Sequence, residues 1–94
     1  MQTVIVQIGN SDNKLTQEKW SKFFIETEEY VKRYAANMHF SGHSLPDSMY
    51  QNAAFIFDIN LEEKLMLRSK LERLCVLNNQ DSIAWTEGVT TFIK

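Results

Sequence analysis

At 94 residues with a formal net charge of −2, 44% hydrophobic and 12% aromatic, the chain has apolar material for one core and too little length for two. This composition excludes intrinsic disorder and needs no disulfide or metal staple; charges of both signs are interspersed, so there is no basic stripe for a phosphate backbone and general nucleic-acid binding is excluded. The single cysteine, Cys75, cannot close an internal disulfide, and no apolar run suits a signal peptide or membrane span, so a cytoplasmic protein is expected.

Residues 3 to 8 alternate, with Val4, Val6 and Ile8 on one face and Thr3, Ile5 and Gln7 on the other, which predicts a first strand. Gly9 to Asn13 is a turn-prone run. Thr16 then caps a helix that starts near Gln17, with Glu18 in its first turn. Trp20, Phe23, Phe24, Thr27, Val31 and Tyr34 form its apolar stripe, and it ends around Ala35 to Asn37. Lys19, Lys22, Lys32 and Arg33, set among glutamates, make a solvated helix face.

Met38 to His43 alternates again, with Met38 and Phe40 assigned inward and His39, Ser41 and His43 outward. Ser44 through Asn52 holds the only proline, Pro46, and reads as an irregular excursion. Ala53 to Ile59 is the clearest strand, with Phe55, Phe57 and Ile59 against Ala54, Ile56 and Asp58. Asn60 as N-cap with Glu63 three residues on suggests a capping box and a second helix from Leu61 to Leu77. Its core face takes Leu67, Leu71, Leu74 and Cys75, flanked by Leu61 and Leu65. Ser82 to Thr86 is the last strand, and Glu87-Gly88 is either a hairpin turn or a glycine bulge leading into Val89 to Ile93, the bulge being preferred.

The order strand, helix, strand, strand, helix, strand defines one α+β domain over residues 1–94 on the ferredoxin-like βαββαβ plan. Right-handed crossovers give a four-stranded antiparallel sheet with both helices packed on one face and the first and third strands central. Val4, Val6, Ile8, Phe40, Phe55, Phe57, Ile83 and Trp85 are the expected sheet contribution to the core.

No chemical constellation in the chain stands out. Four residues separate His39 from His43, about 13 Å on a strand, so joint metal ligation would need a sharp bend and no metal or other cofactor is expected. Gly42-His43-Ser44 lacks a nucleophile elbow, and Gly9 to Lys14 follows a strand and precedes a helix but lacks the glycine spacing of a nucleotide loop. Cys75, among leucines, reads as a buried small hydrophobe. What remains is the sheet face away from the helices, where Ile5, Ala54, Ile56 and Ala84 form an apolar patch suited to self-association.

The opening run Thr3-Val4-Ile5-Val6-Gln7-Ile8-Gly9-Asn10-Ser11-Asp12 and the closing run Gln80-Asp81-Ser82-Ile83-Ala84-Trp85-Thr86-Glu87-Gly88 resemble those of small phage- and prophage-type proteins. The resemblance implies no reaction and no residue roles. It implies a setting in which compact proteins bind and inhibit host proteins, defence systems included.

The first expectation is therefore a non-enzymatic, homodimeric binding module that engages a host protein through the sheet face (Ile5, Gln7, His39, His43, Ile56, Asp58), an edge strand, or the Ser44 to Asn52 loop with Leu45, Met49 and Tyr50. The second is a small-ligand protein that binds a nucleotide or other anion at the Gly9 to Lys14 loop, or at Gln7, His39, Asp58 and Ser82. A small enzyme using His39 or His43 as a base beside Asp58 ranks third.

Overall fold

In the computed structural model, which describes residues 1–10, 13–45 and 50–94, the elements run β1 (Gln2–Gly9), α1 (Gln17–Tyr34), β2 (Asn37–His43), β3 (Asn52–Ile59), α2 (Leu61–Leu77) and β4 (Ala84–Gly88). The strands form one antiparallel sheet in the order β2-β3-β1-β4, so the first and third strands are central, as the ferredoxin-like plan requires.

Alternation fixes the central pair. Val4 lies opposite Phe57 and Val6 opposite Phe55, and all four are fully buried beneath the helices. Burying a side chain of this size stabilises the fold by roughly 1.5–3 kcal/mol. From above, α1 contributes Trp20, Phe23, Thr27 and Val31, and α2 contributes Leu67, Leu71 and Leu74. Thr27 is tolerated in this core because its hydroxyl donates to the Phe23 carbonyl at 2.7 Å. The Thr16 hydroxyl accepts the Lys19 N–H at 3.2 Å, which is the predicted N-cap.

Three expectations need correction. In β2 the register steps from Met38 opposite Phe57 to Phe40 opposite Ile56, so His39 is an extra, bulged residue. Each later side chain changes face: Phe40 turns outward, half exposed, while Ser41 and His43 turn in to meet α1. Ser41 donates to Glu28, and the His43 ring stands edge-on to Phe24 at 5.1 Å. At α2, Asn60 is the N-cap but makes no side-chain capping bond; its backbone carbonyl accepts from Glu63 and Lys64 instead, and Leu61 and Leu65 are exposed. Finally, β4 begins at Ala84 and ends at Gly88, with neither a hairpin partner nor a bulged continuation.

Candidate binding face

Cross-strand register builds the outer face of the sheet row by row. Phe40, Ile56, Ile5 and Thr86 are successive neighbours across β2, β3, β1 and β4, a row whose first three members are apolar. At a strand spacing of about 4.8 Å, the first and last of the four strands lie roughly 14 Å apart on this face. On one side of the row lie Gly42, Ala54, Gln7 and Ala84, mostly small side chains that leave the row standing proud. The Phe40 ring folds over Gly42, where an added Cβ would fall 2.6 Å from its Cζ. A glycine in a strand often marks such a close approach.

On the other side of the row, the bulge aims His39 at β3. Its Nε2 lies 2.9 Å from one oxygen of Asp58, while the Thr3 hydroxyl donates to the other at 2.9 Å. Hydrogen bonding from His39 first, and then from Thr3, holds the Asp58 carboxyl below its ordinary range. The Thr3 hydroxyl also pairs with that of Thr90, in the segment that follows β4. Because Thr3 donates to Asp58 rather than to His39, the cluster orients an imidazole without activating a nucleophile.

The predicted site residues are thus partly gathered and partly dispersed. Ile5, Ile56, His39 and Asp58 share the outer face; Gln7 is also there, but four residues along β1 from Thr3, about 13 Å from the Asp58 cluster. His43 lies on the opposite face, so His39 and His43 do not form one site, and among the described residues no three metal-binding side chains cluster. Leu45 and Tyr50 are exposed beside the excursion, whose base is closed by Ser44 N–H to the Asn52 carbonyl and Asn52 N–H to the Ser44 hydroxyl. Met49 lies outside the described residues.

The Gly9 to Lys14 loop has a structural organiser. The Asn10 side chain, 2% exposed, accepts the Leu15 N–H and donates to the Leu15 carbonyl and to Gln51. Near this loop, Lys14, Lys19 and Lys22 border a recess of about 440 Å³, but Leu77, Asn78 and Asn79 at the end of α2 complete it. A helix C-terminus carries partial negative charge and disfavours an anion there.

A second recess, of about 460 Å³, separates α2 from β4 and is lined by Arg68, Leu71, Cys75, Val76, Ile83 and Trp85, among others. The Arg68 guanidinium lies 5.0 Å over the Trp85 ring. Burial, and then the charge of Asp81, pushes the Cys75 thiol up, the direction that disfavours the thiolate. Cys75 is only partly buried, at the groove wall rather than in the core.

No protein-family model and no curated protein matches the chain. Among solved structures, it is similar to a proposed amidohydrolase/peptidase from Burkholderia cenocepacia, with 12% identity and a TM-score of 0.42. The match covers 94% of this chain and 27% of that one, and at this level it carries no argument about activity.

Proposed function

We propose that the chain is a non-enzymatic protein-binding module whose outer sheet face is the docking surface. The observation that carries this reading is the row Phe40, Ile56 and Ile5, apolar side chains placed on the uncovered face, with His39, Asp58 and Gln7 as a polar margin. An apolar centre within a polar rim is the usual anatomy of a protein interface. The likeness to phage-type proteins favours a bacterial host protein as the partner.

The test compares capture from bacterial host extract by the wild type, Ile56→Asp, and Ile25→Asp, the last altering an exposed residue of α1 away from the sheet. A partner retained by the wild type and by Ile25→Asp, but reduced at least about tenfold by Ile56→Asp, supports the reading, since a charge buried in an interface centre costs more than 1.4 kcal/mol. Equal capture by all three removes the outer face from consideration.

A further inference from the structure

The two edges of the sheet are protected differently. At one edge, β2 is distorted by the His39 bulge, a common device against edge-to-edge pairing. At the other, β4 pairs with β1 in unbroken register over five residues and contains neither proline nor lysine. Its outer side therefore presents an unblocked row of backbone donors and acceptors.

Two apolar features flank this edge. One is the groove between α2 and β4, with Val76, Ile83 and Trp85 at its mouth; Leu61 and Leu65 continue the helical stripe of Arg68, Glu72 and Val76, and both are exposed. The other is segment 89–94, where Val89 and Phe92 are 91% and 83% exposed and Ile93 is fully so. A two-residue hairpin that would fold this segment back onto its own groove needs positive φ in the turn, and no glycine in the described chain has it. Thr90 instead meets Thr3, so the segment runs onward past β1. The apolar residues and the groove thus lie at opposite ends of β4.

Antiparallel pairing of two β4 strands brings them together. With Thr86 opposite Thr86 of the second copy, Val89 falls opposite Ile83 of the second copy on the helix-facing side, and the residues beyond it pass along that copy's groove. Five extended residues, Val89 to Ile93, reach about 17 Å. We propose that a second copy of this chain docks on the β4 edge, with segment 89–94 of each copy covering the groove between α2 and β4 of the other. The sequence alone pointed to self-association through the outer face; the β4 edge offers unpaired backbone and an apolar segment with its own complementary groove, and it leaves the outer face free. The inference is independent of the outer-face reading.

The test is molar mass by light scattering at concentrations up to about 1 mM, a thousandfold above the dissociation constant of a micromolar dimer. Wild type and Ile56→Asp are expected at twice the 11.0 kDa chain mass. Val89→Asp and Val76→Asp are expected at the single-chain mass with circular dichroism unchanged; both residues are exposed, so their replacement does not disturb the folded chain. A monomeric wild type overturns the proposal. So does a dimer that survives both edge variants, or one that Ile56→Asp alone separates.

Discussion

Asn10 shows how much one side chain can hold in place. Its amide satisfies both backbone groups of Leu15 and reaches Gln51, itself buried and bonded to Gln17 at the start of α1. Asn10→Ala leaves these groups buried without partners, and a urea titration is expected to show a loss of about 2–3 kcal/mol. Lys14→Ala, four residues on, removes a solvent-exposed ion pair with Asp81 and is expected to cost less than about 1 kcal/mol. A similar loss for both would show that the loop is not organised through Asn10. The sequence marked Gly9 to Asn13 as a turn because its residue types are those of turns, but Gln51 lies 41 positions away and nothing local pairs it with Asn10. In the same way His39 and Asp58 could be listed as candidates, whereas their contact depends on an extra residue in β2.

Legibility of the elements followed their regularity. β1, β3 and α1 keep one period from end to end, and their buried faces are those that the periodicity predicts. β2 keeps the alternation in its sequence, but the bulge inverts it in space, which moved Phe40 outward and Ser41 and His43 inward. In α2, leucines occur around the helix, so the inner stripe was readable while the exposure of Leu61 and Leu65 was not. The altered β2 makes a testable unit. A Cβ at Gly42 meets the tip of the Phe40 ring, which is half exposed and free to turn outward. Glycine in a strand is intrinsically unfavourable by roughly 0.5–1 kcal/mol relative to alanine, and this offsets the lost ring contact. Gly42→Ala is therefore expected to change stability by less than about 1 kcal/mol, and to be more favourable when combined with Phe40→Ala. Phe40 ring resonances should shift in the single variant. A loss above about 2 kcal/mol would place the ring in a packed role that its exposure contradicts.

Two carboxylates on opposite faces of the sheet link neighbouring elements. Asp58 on β3 receives hydrogen bonds from Thr3 on β1 and His39 on β2, while Glu87 on β4 pairs with Lys64 of α2 at 2.8 Å and accepts from the Trp85 indole at 2.9 Å. Contact with His39, then Thr3, holds Asp58 below its ordinary range, and contact with Lys64, then Trp85, does the same for Glu87. In the unfolded chain these groups titrate near the usual values, about 3.9 and 4.3. At mildly acid pH the unfolded chain therefore binds more protons than the folded one, and stability rises with pH in that window. The contribution is complete above the unfolded values and is lost as pH falls through the lower, folded ones. The thermal midpoint is thus expected to drop between about pH 5 and pH 2. Asp58→Asn with Glu87→Gln should lower the midpoint at pH 7 and flatten the acid limb, because neither group can then take up a proton on unfolding. The two sites share no partner, so the flattening should be close to the sum of the single variants' effects. An acid limb as steep in the double variant as in the wild type would assign the pH dependence to other carboxylates.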